Sequence, residues 1–186
     1  MNIKKIFIIL TAFLAFEMES NGQVIQGQDV SSTYDEIGNI NNNGKGFVFD
    51  EHSYNLLRKE AESGNAHSQY LLGASYFLGN GVIKQDFKEG IKWLQKSIEN
   101  GDYNGVPLLF SYYGSETYGN PNYKEAFKWA KLGAEHDDGM SQLMLGGLYW
   151  FGAGVEKNVD EAKKWLNKAA SKGIMEAKQF LYEIGQ

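Results

Sequence analysis

Three stretches of this chain can be laid one on another: AHSQYLLGASYFLGNGVIKQDFKEGIKWLQKSIENGD from Ala66, YNGVPLLFSYYGSETYGNPNYKEAFKWAKLGAEHDD from Tyr103, and GMSQLMLGGLYWFGAGVEKNVDEAKKWLNKAASKGI from Gly139. Trp93, Trp129 and Trp165 are each 36 residues apart, Tyr76, Tyr113 and Tyr149 follow at 37 and 36, and Gly64, Gly101, Asp137 and Gly173 at 37, 36 and 36. Columns that share one period over 20 to 50 residues mark a repeat architecture, in which each unit buries its apolar face only against its neighbours.

Each unit reads as two helices. The second opens on an N-cap acceptor with a carboxylate three residues on, Asp86 with Glu89, Asn122 with Glu125 and Asn158 with Glu161, the pattern of a capping box. It closes near Gly101, Asp137 and Gly173, where the chain must reverse. The first helix carries Leu72, Gly73 and Tyr76, then Leu145, Gly146 and Tyr149, on one face, the glycine allowing two backbones to approach. Outside the three units, Glu51 to Ser63 reads as a lone second-type helix with Leu56 in the tryptophan column, and Met175 to Ile184 as a lone first-type helix. The recurrence of Trp93, Trp129 and Trp165 with the repeat assigns them to the core.

The patterns AFKWAKLGAEHD from Ala126 and AKKWLNKAASKG from Ala162, with LGASYFLGNGV from Leu72 and LGGLYWFGAGV from Leu145, resemble the Sel1-like repeat (SLR) family, relatives of tetratricopeptide repeats. The resemblance runs from about Glu51 to the end. It implies an all-α fold: a right-handed α-solenoid of about three SLR helix pairs, near 66–102, 103–138 and 139–174, with a half repeat at each end of a domain spanning 50–186. The middle unit departs from the pattern. Phe110 stands in the close-packing glycine column, Pro107 enters the first helix, and SETYGNPN replaces the GxGV loop, so local distortion is expected with the helix starting near Pro107.

Solenoids of this family line a concave groove with their first helices and usually act as adaptors or binding scaffolds, which implies a protein or peptide ligand. Taking residues 68, 69, 72, 73 and 76 and their equivalents as the inter-helix face leaves His67, Tyr70 and Phe77, then Asn104 and Ser111, then Met140, Leu143 and Trp150, as the candidate groove. Large apolar side chains of this set would be binding anchors, with Tyr70 the most exposed and Tyr70 and Trp150 replaceable without loss of fold. Alternatively Phe77, Leu143 and Trp150 pack against the neighbouring repeat.

The first 50 residues have a different character. Lys4 and Lys5 precede the apolar run IFIILTAFLAF from Ile6 to Phe16, after which the chain turns polar, with small residues Ser20 and Gly22 at the positions of a signal-peptidase site. Residues 1–22 are therefore expected to be a signal peptide, with a periplasmic or secreted product; a buried first helix is the alternative. The run is half the length of about 20 residues needed to span a bilayer, so no stable membrane insertion is expected after its removal. Residues 23–49, with the tract IGNINNNGKG, are too polar to bury a core and read as a flexible leader, although VIQGQDV and GFVF could each dock as an irregular strand.

Composition narrows the function. The 186 residues carry 18 Lys and Arg against 23 Asp and Glu, a net charge of −5 that leaves no basic field for nucleic acid. With no cysteine there is no disulfide, thiolate metal site or cysteine nucleophile. His52, His67 and His136 have no metal-ligand spacing, Gly79-Asn80-Gly81 and Gly152-Ala153-Gly154 are turns without the third glycine of a phosphate loop, and no serine has a lysine three residues on. No cofactor, metal or catalytic residue is expected, and the function reads as a non-enzymatic binding module or adaptor. A specific form implied by the family is a periplasmic immunity protein that neutralises a secreted toxin. The competing class is a weak cell-wall or beta-lactam hydrolase, prompted by cysteine-rich members of the family and poorly matched by a chain with no cysteine. Oligomeric state is left open.

Overall fold

The computed structural model describes residues 51–79 and 82–185. The signal-peptide and leader readings, and Asn80 and Gly81 of the first glycine turn, lie outside the described residues. These contain eight α-helices and no strand: α1 Glu51–Glu62, α2 Ala66–Leu78, α3 Phe87–Glu99, α4 Val106–Gly114, α5 Tyr123–Glu135, α6 Gly139–Phe151, α7 Val159–Ser171 and α8 Met175–Ile184, with 3-10 turns at Tyr103–Gly105 and Glu116–Tyr118. They fall into two compact units, 51–105 holding α1 to α3 and 106–185 holding α4 to α8. The fold class is all-α, built of repeated helix pairs.

Second-type helices start as the spacing predicts, with one substitution in the device. Side chains of Asp86, Asn122 and Asn158 accept the N–H groups of Glu89, Glu125 and Glu161 at 3.1, 3.3 and 3.0 Å. The reciprocal half of the capping box is taken over by the tyrosine column. Backbone N–H groups of Asp86, Asn122 and Asn158 donate to the carbonyls of Tyr76, Tyr113 and Tyr149 at 2.8, 2.6 and 3.0 Å, tying each first helix to the start of its second. The three glutamates are thereby released to pair with Lys92, Lys128 and Lys164 one turn on, at 3.3, 3.6 and 2.9 Å. Lysines in turn lie over the tryptophans: Lys96 over Trp93 at 4.4 Å, Lys128 over Trp129 at 4.6 Å and Lys168 over Trp165 at 4.3 Å. Trp93 and Trp129 are buried, while Trp165 is half-buried and donates its indole N–H to Glu161 at 3.0 Å.

Where the chain reverses, Gly64, Gly101 and Gly173 have φ of 98°, 94° and 90°, and Asp137 alone among the described residues takes a positive φ without being glycine, at 66°. Its carboxylate accepts from Gln142 Nε2 at 2.9 Å and from Lys172 Nζ at 2.6 Å. The same Gln142, fully buried, and its counterpart Gln69 donate to the helix-end carbonyls of Ala134 and Ala61, so α6 and α2 each clip the end of the preceding second helix.

Glycines of the first helices give the close approach expected. A Cβ on Gly73 would lie 2.9 Å from Leu94 Cγ, and one on Gly146 would lie 2.7 Å from Leu166 Cγ. The middle unit, expected to be distorted here, solves the same contact differently. Position 94 recurs at 130 and 166, and there the residues are Leu94, Ala130 and Leu166. Phe110 fills the volume that the smaller Ala130 leaves, and both are buried in one cluster with Leu145 and Leu166. Distortion is confined to the ends of α4, which starts at Val106, one residue before Pro107, after a 3-10 turn, and is followed by a second 3-10 turn capped by Ser115.

Candidate functional site

First helices are packed on two sides: α2 between α1 and α3, and α6 between α5 and α7. This narrows the candidate groove. A helix held by two neighbours leaves only a thin stripe for solvent, and in α6 every residue from Ser141 to Leu148 is buried.

Three predicted groove residues are buried and present no side chain to a ligand. Phe77 is 2% exposed and lies edge-on to Phe87 at 5.1 Å, because Gly90 lets α3 approach the backbone at Phe77. Leu143, 4% exposed, belongs to the core cluster of Phe110 and Leu148. Ser111 is also 4% exposed. For Phe77 and Leu143 the packing alternative is the correct one. Trp150 is half-buried, edge-on to Phe180 of α8 at 6.4 Å, with Lys157 Nζ 5.1 Å from its ring centroid. With Phe151, stacked at 6.2 Å on the same Phe180, it seats α8, so its replacement disturbs packing as well as any surface role. Met140 is half-buried at the rim of the same cluster.

Within the unit 51–105 the structure does bring predicted residues together. His67 Nδ1 lies 2.9 Å from Asp102 Oδ2, with the His67 side chain 25% exposed and that of Asp102 11%. The other carboxylate oxygen of Asp102 accepts the backbone N–H of Asn104 at 2.9 Å, and the Tyr70 ring centroid is 5.9 Å from that of His67. Tyr70, His67 and exposed Asn104 thus share one partly open patch, organised by Asp102. Sequence reasoning missed Asp102; the signal for it was its place beside the reversing Gly101, where Asp138 recurs as the N-cap of α6. Among the described residues no group of three or more His, Asp and Glu side chains is arranged to hold a metal ion. No helix among them is long and apolar enough to cross a membrane.

Comparison with known proteins gives these helix pairs a family. The model of the Sel1 repeat matches residues 66–102, 109–138 and 139–174. The chain belongs to the Sel1 repeat family. A Sel1 repeat protein from Oxalobacter formigenes superposes with a TM-score of 0.62 at 32% identity, over 68% of this chain and 95% of that one. A protective antigen of uropathogenic Escherichia coli that displays an SLR fold does so with a TM-score of 0.67 at 27% identity, over 76% of this chain and 31% of that one. Helicobacter pylori cysteine-rich protein B, at 23% identity and a TM-score of 0.53, shares the fold. Among curated proteins, the Arabidopsis thaliana ERAD-associated E3 ubiquitin-protein ligase component HRD3A is 25% identical over 103 residues, 55% of this chain. The chain spans only 15% of the length of that relative. Sel1 repeats are in general protein-interaction modules, and the Sel1 pairs of this chain carry the contacts that such a module needs to hold its shape.

Proposed function

We propose that this Sel1 repeat protein is an exported, non-enzymatic module that binds a protein or peptide through the partly open stripe of its first helices. The observation that carries this reading is the patch of Tyr70, His67 and Asn104. Two of its side chains are oriented, the ring pair by its mutual contact and His67 by Asp102, yet both are left partly exposed. Oriented aromatic groups with little conformational entropy to lose are what binding hot spots are made of. In the unit 106–185, Met140 and Trp150 are partly exposed apolar side chains near the two ends of α6. Export rests on the lysines and apolar run of residues 4–16 and the small residues before Gln23. The −5 charge and the absence of cysteine favour a protein ligand over nucleic acid and over thiolate chemistry.

The test is affinity capture from an envelope extract by the chain, beside a Tyr70→Ala, Asn104→Ala variant with an unchanged circular dichroism spectrum. One stoichiometric partner held by the unaltered chain alone supports the reading, and its identity distinguishes a toxin from an envelope component. Equal capture by both proteins removes the patch from the site. Turnover of a chromogenic lactam by the unaltered chain would overturn the non-enzymatic assignment. Mass spectrometry of the exported protein checks for a chain beginning at Gln23.

A further inference from the structure

Away from that patch, α1 and the segment leading into α3 enclose a hollow of about 340 Å3, lined among others by Tyr54, Tyr76, Val82, Ile83 and Lys84. Its hydrogen bonding does not close. Arg58 donates from Nε to Glu62 at 2.8 Å and from a terminal nitrogen to the Tyr54 hydroxyl at 3.4 Å. The hydroxyls of Tyr54 and Tyr76 are 2.9 Å apart. Whichever of the two donates in that bond, one phenolic proton is left without an acceptor among the described residues. Burial, followed by the bond to Tyr54, pushes the Tyr76 phenol up to about 12, so it keeps its proton throughout the physiological range. Lys84 is exposed and has no ion pair or hydrogen bond among the described residues.

Two polar side chains of the lining are tied to helix ends. The carboxylate of Asp86 caps α3, taking the N–H groups of Lys88 and Glu89 at 3.0 and 3.1 Å. Gln85 donates its amide to the Phe77 carbonyl at 3.0 Å. The second hydroxyl is also not needed for repeat packing. In the unit 106–185 the position of Tyr54 is held by Phe127, which packs edge-on to Tyr149 at 5.4 Å and makes the same inter-helix contact with no hydroxyl.

A concave site with an unpaired phenolic donor, a free ammonium and apolar walls is complementary to a small anionic acceptor. We propose that the hollow between Tyr54, Tyr76 and Lys84 binds a carboxylate of the peptide or protein partner, either its chain terminus or an acidic side chain. This rests on the interaction-module reading and names the chemistry that one of its contacts recognises.

The probes are three N-acetylated glycine peptides added to the full chain labelled with 15N: one with a free C-terminal carboxylate, one amidated with a central glutamate, and one amidated with neither. Saturable amide shifts are expected at Tyr76 and residues 82–86 with an acidic peptide and none with the neutral one. A response to the first peptide alone assigns the chain terminus, and to the second alone an acidic side chain. Lys84→Gln, on the surface, is expected to weaken binding about tenfold, as for loss of a charge-assisted hydrogen bond. Tyr76→Phe is expected to weaken it with the spectrum otherwise retained. Equal shifts from the neutral peptide, no shifts from either acidic one, or shifts untouched by Lys84→Gln would refute the site. Acidic-peptide shifts confined to Tyr70 and Asn104 would also refute it, while leaving the module reading intact.

Discussion

Exchange of Phe110 and Ala130 for the glycine and leucine of the neighbouring repeats tests the account of how these helix pairs pack. In α6 and α7 the contact is made by Gly146 against Leu166, whose Cγ and Cδ2 lie 2.7 and 3.0 Å from where a Cβ would stand. In α4 and α5 the equivalent positions are Phe110, 1% exposed, and Ala130, fully buried. Phe110→Gly alone removes a buried aromatic ring, costing about 3–5 kcal/mol, and adds a helix-interior glycine at about 1 kcal/mol. Ala130→Leu alone overpacks the same space at about 1–3 kcal/mol. Were the sites independent, the pair would cost about 5–9 kcal/mol, enough to unfold a domain of ordinary stability. Because the pair recreates the Gly146–Leu166 arrangement, the double variant is expected to be more stable than Phe110→Gly alone, with a coupling of at least about 2 kcal/mol. Urea denaturation followed by tryptophan fluorescence supplies the four free energies. Additivity within about 0.5 kcal/mol would show that Phe110 and Ala130 do not share one space, and the packing argument would fail.

Trp129→Ala is expected to cost about 3–5 kcal/mol as a large-to-small core change; a loss under about 1 kcal/mol in thermal melting would place this column at the surface. Trp150→Ala is expected to lower the melting temperature by loosening α8 and to raise hydrogen exchange in residues 175–184, and unchanged exchange there would separate Trp150 from Phe180. Asp137 and Glu161 have carboxyl pKa values held below the ordinary range, chiefly by hydrogen bonds from Lys172 and Lys164 respectively. A depressed folded-state pKa contributes stability that is present above the unfolded value and lost as pH falls through the folded one. Stability should therefore decline below about pH 4, and the decline should be shallower in Asp137→Gly, which also suits the positive φ; equal slopes in melting curves across that range would remove Asp137 from the effect.

How much of this was legible in the sequence follows from which interactions repeat. Helix limits, N-cap acceptors, the reversing turns and the burial of Trp93 and Trp129 all followed from columns that recur with the period, because each repeat makes the same local hydrogen bonds and the same nearest-neighbour contacts. The exposed stripe did not follow. Subtracting one inter-helix face from each first helix took no account of the second neighbour, so Phe77 and Leu143 were assigned to a surface that packing on two sides had already buried. The tyrosine carbonyls that displace the reciprocal half of each capping box were equally hidden, since a backbone acceptor leaves no mark on residue identity.

From the sequence alone came the repeat, its period, its helix pairs and its family, because periodicity and capping are properties of residues near in the chain. Tertiary structure alone decided that Ala130 accommodates Phe110, that Asp102 gathers His67 and Asn104 beside Tyr70, and that Tyr54 and Tyr76 leave a proton without an acceptor among the described residues. Each of these depends on side chains brought together by packing between helices, where volume and hydrogen-bond capacity are set by both partners and cannot be read from either one.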